Sequence, residues 1–279
     1  MLSSRQSVDD SDLDQEWSTR DQGVQVWLCD TSTAAVRGLV DQYVVLLSEE
    51  ELARAARFRY ERDRFQRIAS CALVRTVLGS LVGASPNALK FSKASLGRPI
   101  LVFPASPSIS FNVSHSGNWI ALAVSCDAEV GVDVEWCVGA APIEVAERYF
   151  TKEEVRAIRE ARADLRSATF LQFWVLKESY LKALGAGLHK PLNSFSFQFR
   201  EPDGLAFHAD GDQAMLPSFW LIRAAEALIG AVCLLGRQAD SKTSLVIKQV
   251  VPLGGEVELC SEVVRRSLHM SSARFDTRI

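Results

Sequence analysis

The chain has 279 residues, 48% hydrophobic and 23% charged, close to globular averages and far from disordered, collagenous or coiled-coil compositions. That length suits one large domain or two modest ones. With 31 Lys+Arg against 34 Asp+Glu the net charge is −3, so no global positive field draws nucleic acid or anionic lipid, and neither is an expected partner.

Residues 1–22 carry Asp9, Asp10, Asp12, Asp14, Glu16 and Asp21 against Arg5 and Arg20. They read as a flexible acidic arm, unlike the apolar start of a secretory signal. The most apolar stretch, Ala227 to Leu235, is far shorter than the roughly 18 residues of a membrane span. A cytoplasmic location is expected. Six cysteines with no C-x-x-C pair are expected as buried thiols, not as zinc ligands or disulfides.

Val24, Val26 and Leu28 alternate with Gln25, Trp27 and Cys29, the period of a strand. Ser48 with Glu51, and Thr151 with Glu154, stand as capping boxes that start helices. The two halves then run in parallel. Arg57-Phe58, a long helix through Leu73, Leu89 to Ser92 and an apolar strand at Trp119 to Cys126 match Arg148 to Phe150, a helix through Trp174, Phe195 to Phe197 and a strand from Ala227. The offsets agree at roughly 106 to 108 residues, the mark of a duplicated unit. The expected fold is therefore α/β of the α+β kind, with two pseudo-symmetric lobes, each a small sheet with a long helix, and an active site in the cleft between them. The divisions are residues 1–22, 23–128, 129–240 and an extension, 241–279. In that extension Val257, Cys260, Val263, Val264 and Leu268 fall on one helical face, so a short docking helix is expected.

Val130 to Trp136 alternates strictly, with Asp133 and Glu135 on one face and Gly131 beside them. Two neighbouring carboxylates repel unless a cation lies beside them, and Gly131 leaves room for a ligand. Hard oxygens of this kind suit Mg²⁺; two solvated acids on a half-exposed strand are the alternative. On the helix from Ser167 to Gly185, Lys177 falls within the apolar stripe of Phe170, Phe173, Trp174, Leu181 and Leu184, while Glu178 and Lys182 stand at i and i+4. They form either an ion pair of about 0.3–0.5 kcal/mol, or a carboxylate base and ammonium groups aimed at a phosphate.

Asn112 to Asn118 joins two apolar strands through a polar turn holding Ser114 and His115, both natural phosphate donors. No G-x-S-x-G elbow, P-loop or G-x-G-x-x-G fingerprint is present, so a serine triad and the usual nucleotide folds lack their marks. Six arginines, Arg54, Arg57, Arg59, Arg62, Arg64 and Arg67, form the one basic cluster, a solvated helix face or a grip for a terminal phosphate. Gly97-Arg98-Pro99 marks a turn before a strand.

Together these pieces resemble the Sfp-type 4′-phosphopantetheinyl transferases. Gly97-Arg98-Pro99 matches the family's G-K/R-P turn, Phe111 to Ser116 its F-N-x-S-H-S, Gly131 to Glu135 its G-[IV]-D-[IV]-E, and Trp174, Lys177, Glu178, Lys182 and Gly185 its W-x-x-K-E-[AS]-x-x-K-x-x-G stretch, followed by Gly187-Leu188 and Pro191-Leu192. The motifs stand in order across about residues 24 to 237. The resemblance implies a monomer that transfers 4′-phosphopantetheine from coenzyme A to a serine of acyl or peptidyl carrier domains, those of polyketide, nonribosomal peptide or fatty acid synthases, and releases 3′,5′-ADP. It implies Mg²⁺ on Asp133, Glu135 and Glu178, with Glu178 also the base and Lys182 neutralising phosphate. Coenzyme A would be met by Arg54, Gly97, Arg98, Pro99, Ser114, His115, Lys177 and Lys182. Some members place lysines for the 3′-phosphate where this chain has Glu51 and Arg54, of which only Arg54 is basic. Two alternatives stand beside this reading: a carrier-protein or nucleotide-binding module of the same fold without chemistry, and a metal-dependent phosphohydrolase that uses water.

Overall fold

The computed structural model describes residues 23–94, 97–106, 108–126, 128–185, 187, 190–209, 217–225, 227–236, 243–258 and 262–267. The acidic arm lies outside them. Strand β1 (Val24–Asp30) leads through three short helices, α1 (Ala34–Arg37), α2 (Val40–Val44) and α3 (Glu49–Ala55), to the long α4 (Glu61–Leu81). Strands β2 (Lys90–Lys93), β3 (Pro99–Phe103), β4 (Ile109–Ser116), β5 (Trp119–Cys126) and β6 (Glu129–Trp136) follow. Helices α5 (Ile143–Tyr149), α6 (Lys152–Glu160) and the long α7 (Arg166–Leu184) precede β7 (Phe195–Arg200), β8 (Gly204–Ala209), β9 (Ser218–Ala224) and β10 (Leu228–Leu235). The last strands are β11 (Leu245–Val251), β12 (Gly255–Glu258) and β13 (Glu262–Ser267).

Both expected capping boxes form: Ser48 accepts from Glu51 N–H and Thr151 from Glu154 N–H, and each glutamate reaches back to the cap backbone. Helix α7 ends where Gly185 turns left-handed at φ 62, a conformation that costs glycine nothing.

The sheets carry the duplication. One runs β12-β11-β1-β5-β4, with β2-β3 as a separate hairpin, and the other runs β6-β10-β9-β13-β8-β7. Strand by strand, β1, β5, β4 and the hairpin β3-β2 correspond to β6, β10, β9 and the pair β8-β7. Each long helix covers its own sheet, giving one core around Leu73, Leu78 and Leu122 and another around Phe173, Leu176 and Phe219. A third core joins the halves, with Val24, Val26 and Leu28 of β1 meeting Val130, Val132 and Val134 of β6.

A ladder of polar side chains closes the seam. β6 is an edge strand of its sheet. The N–H groups of Val130, Val132, Val134 and Trp136 donate to Ser110 Oγ, Asn112 Oδ1, Ser114 Oγ and Ser116 Oγ of β4, at 3.0, 3.1, 3.4 and 3.0 Å. Alternate residues of one strand thus satisfy alternate donors of an edge that would otherwise be left unpaired.

The extension is not a docking helix. Val257 lies in β12, and Val263 and Val264 lie in β13, while Cys260 and Leu268 fall outside the described residues. Gly254-Gly255, with Gly255 at φ 106, makes the turn that breaks any helix, and the β-branched valines prefer the pleated edges available to them. β11 pairs parallel to β1, and β13 enters the second sheet, antiparallel to β9 and parallel to β8. The segment expected to lie outside both copies is woven into both sheets. No helix among the described residues is long and apolar enough to cross a membrane. Cys29, Cys71 and Cys233 are buried as expected, whereas Cys126 and Cys137 are only half-buried.

Candidate active site

A cavity of about 790 Å³ opens between the β2-β3 hairpin and β4. This is the gap in the first lobe that corresponds to the place of β13 in the second. Gly97, Arg98 and Pro99 form one wall, Arg54 of α3 and Arg67 of α4 another, and His115, Glu178 and Lys182 also line it. Of the six clustered arginines, Arg54 and Arg67 reach the cavity. Lys93 stands there as well, a cation that no motif singles out, since only the fold of the hairpin carries it there. Arg98 is anchored: its guanidinium donates to Ser110 Oγ at 2.6 Å and meets Glu129 at 2.6 Å. Cys71, also in the wall, is inert as a nucleophile, because burial pushes its thiol up to about 11.

Behind this wall the seam gathers charge. Asp133 of β6 is 5% exposed. Lys182 Nζ lies 2.7 Å from Asp133 Oδ1 and donates to Ser114 Oγ at 2.9 Å and Val132 O at 3.1 Å. Ser114 Oγ–H in turn donates to Asp133 Oδ1 at 2.8 Å. Ser114 is therefore buried within the seam, while His115, next on the strand, faces the cavity from the opposite side. Glu135 accepts from Ser116 Oγ at 2.7 Å and is also bonded by Trp174, which gives the tryptophan of the helix motif a task invisible in its spacing.

The three carboxylates strain against one another. Burial raises Asp133 above its ordinary range, against the pull of Lys182, Ser114 and the Val134 N–H. Burial also raises Glu135, opposed first by Ser116 and reinforced by Asp133. Glu178 is raised by burial and then by the charges of Asp133 and Glu135. Lys182 is the cation felt by all three. Asp133 Oδ2 is buried without a hydrogen-bond partner. Among the described residues no group of three or more His, Cys, Asp or Glu is already gathered around one metal-sized point. The donor chemistry nonetheless fits a hard divalent cation, since an orphaned carboxylate oxygen beside two further carboxylates of raised pKa is a net demand for positive charge.

Ser114, expected to meet coenzyme A, is not among the residues that line the cavity, and two further expectations are corrected. Gly131 does not leave room for a ligand: a Cβ there would run into Ser179 O and Ala183 N of α7, so the glycine lets helix and strand touch. Lys177 does not reach the cavity. It is 0% exposed, its Nζ lies 2.9 Å from Glu154 Oε2, and it donates to Leu192 O and Phe195 O at 2.7 and 2.8 Å. Its donors are all used inside the second lobe and, unlike Lys182, it does not line the cavity, so it does not meet a phosphate. Glu51 is likewise occupied by Arg75, at 2.8 Å.

Two family profiles match the chain, one described as 4′-phosphopantetheinyl transferase superfamily over residues 129–233, the other as 4′-phosphopantetheinyl transferase, N-terminal, over residues 37–127. A putative 4′-phosphopantetheinyl transferase of Synechocystis is 34% identical over 61% of this chain and 68% of its own length. A 4′-phosphopantetheinyl transferase of Bacillus subtilis is 31% identical over 59% of this chain and 71% of its own. The 4′-phosphopantetheinyl transferase Sfp of Bacillus subtilis strain 168 is 29% identical, over 58% and 70%.

Proposed function

The chain belongs to the Sfp-type 4′-phosphopantetheinyl transferases, and from that premise we propose that it moves 4′-phosphopantetheine from coenzyme A to a serine hydroxyl of acyl or peptidyl carrier domains, with Mg²⁺ and with release of 3′,5′-ADP. The observation that carries the reading is Asp133, buried at the seam with an unpartnered oxygen, next to Lys182 and to the two carboxylates whose pKa its charge helps to raise.

Coenzyme A occupies the cavity. Its adenine end lies against the Gly97-Arg98-Pro99 turn, and its phosphates meet Arg54, Arg67, Lys93 and His115, all lining residues. Asp133, Glu135 and Glu178 would hold Mg²⁺, which when bound offsets charge on the pyrophosphate oxygens. Lys182 adds a fixed ammonium to the same charge as it grows in transfer. Glu178 takes the proton of the carrier serine, since its raised pKa brings it closer to the working pH than an ordinary glutamate. Ser114 and Ser116 hold Asp133 and Glu135 in place. Carrier domains of polyketide, nonribosomal peptide and fatty acid synthases share this serine chemistry and are the proposed partners, met by a monomer in the cytoplasm.

The test is release of 3′,5′-ADP from coenzyme A in the presence of Mg²⁺, with and without an apo carrier domain. Release that requires the carrier supports transfer. Release without it identifies a phosphohydrolase, and binding of coenzyme A without release identifies a module that has lost chemistry.

A further inference from the structure

The duplication has preserved one buried device in each lobe. In the first, Glu51 closes the capping box of α3 and receives Arg75 of α4 through Nε at 2.9 Å and Nη2 at 2.8 Å. Arg75 Nη1 then donates to Pro86 O and Leu89 O, at 2.8 and 3.1 Å, where a single 3₁₀ turn (Pro86–Ala88) leads into β2. In the second, Glu154 closes the capping box of α6 and receives Lys177 of α7, and Lys177 donates to Leu192 O and Phe195 O, where a 3₁₀ turn (Leu192–Ser194) leads into β7. Each cation also lies over an aromatic ring of the strand that follows, Arg75 over Phe91 and Lys177 over Phe195. The same four parts recur in the same order: capping glutamate, cation on the long helix, the carbonyls of the first residue of a 3₁₀ turn and of the residue just after it, ring on the next strand. Each tie fastens a short helix, a long helix and a strand entrance at one point.

What hangs from the two ties differs. The first joins α3 with Arg54, α4 with Arg67, and the base of the hairpin with Phe91 and Lys93, all lining the cavity. The second fixes the rotation and depth of α7 one residue before Glu178 and five before Lys182, and leaves the coenzyme wall of the first lobe untouched. Resting on the function proposed above, we propose that Glu51–Arg75 and Glu154–Lys177 are twin positioning pairs with divided labour: the first sets the grip on coenzyme A and the second sets turnover.

The experiment measures kcat and KM for coenzyme A with an apo carrier domain, and coenzyme A affinity by calorimetry without a carrier, in Glu51→Gln, Arg75→Lys, Glu154→Gln and Lys177→Arg. First-lobe variants should raise KM and Kd for coenzyme A on the order of 10-fold with kcat within about 2-fold. Second-lobe variants should lower kcat on the order of 10- to 100-fold, the scale of an ångström's misplacement, with Kd within about 2-fold. A single variant that fails to fold is replaced by a pair without a lone buried charge, Glu51→Gln with Arg75→Met or Glu154→Gln with Lys177→Met. Purely structural ties would lower the folded fraction in both lobes alike, so equal losses of kcat at unchanged Kd, or no change at all, overturn the division. Wild-type protein that transfers nothing overturns the parent reading and this inference with it, whereas normal wild-type transfer without a lobe-specific split overturns this inference alone.

Discussion

Glu178 stands where three carboxylates share one lysine, and its raised pKa means that the fold holds its charge at a cost. Replacing it with glutamine removes the charge at nearly constant size. Turnover in Glu178→Gln should fall roughly 10²- to 10⁴-fold, about 3–5 kcal/mol of barrier, if the residue is mainly a base, and added Mg²⁺ should not restore it. If it is mainly a ligand, high Mg²⁺ recovers the rate. Without divalent cations the same variant should melt at a higher temperature than wild type. The sign follows from linkage: a carboxylate whose folded pKa lies above its unfolded value loses stability as pH rises through that window, and glutamine has no charge to lose it with. The gap in melting temperature should therefore be widest above the raised folded pKa of Glu178 and close as pH falls from there toward the ordinary glutamate value. Near-normal turnover together with an unchanged melting temperature would remove Glu178 from the chemistry and leave Lys182 as the partner of Asp133 alone.

Between helix and strand, contact depends on one missing atom. Gly131 lets α7 lie directly on β6, which places Glu178 and Lys182 above Asp133. Gly131→Ala should separate the two elements, costing about 1–3 kcal/mol of stability as overpacking does, with a loss of turnover larger than the unfolded fraction accounts for. Urea unfolding and kcat measured on the same sample check this, and wild-type values in both would show that α7 does not rest on β6 as described. The capping boxes and the strand alternation of β6 were legible in the sequence because they depend on neighbours at fixed spacing. The helical wheel placed Lys177 correctly within the apolar stripe, but no local pattern names a partner 23 positions upstream, so Glu154 was invisible and a ligand was expected instead. Ser114 misled in the same way: the motif marks it, while its tasks, satisfying Val134 N–H and steadying Asp133, arise only when β4 and β6 meet.

Across the whole molecule, the order β1-β5-β4 with its hairpin repeats as β6-β10-β9 with β8-β7, and the sheets differ only where the extension adds strands: β11 and β12 beside β1, and β13 inside the second sheet. Between β4 and β3 the first lobe keeps a cavity, and between β9 and β8 the second lobe holds β13. The duplication is legible in matching offsets, but no residue pattern marks the extension as filling the twin of the cavity, since strand insertion leaves no local period. Removing residues 259–279 should therefore open the second sheet between β8 and β9. Hydrogen exchange should accelerate in those two strands, the urea midpoint should fall, and β1 and β5 should keep their protection. Unchanged protection throughout would mean that β13 does not brace the second lobe.

On the proposed function, the charged seam between the two lobes performs Mg²⁺-dependent transfer of phosphopantetheine. The most direct measurement is the intact mass of an apo carrier domain after incubation with coenzyme A and this protein, with Mg²⁺ and with excess chelator, for wild type and Asp133→Ala. One added phosphopantetheine is expected on the carrier serine for wild type with Mg²⁺, none in chelator, and a sharply reduced rate in Asp133→Ala, because a single remaining strand carboxylate cannot hold the cation as two do. An undiminished mass gain in chelator, or in Asp133→Ala, would rule out a metal held by this seam.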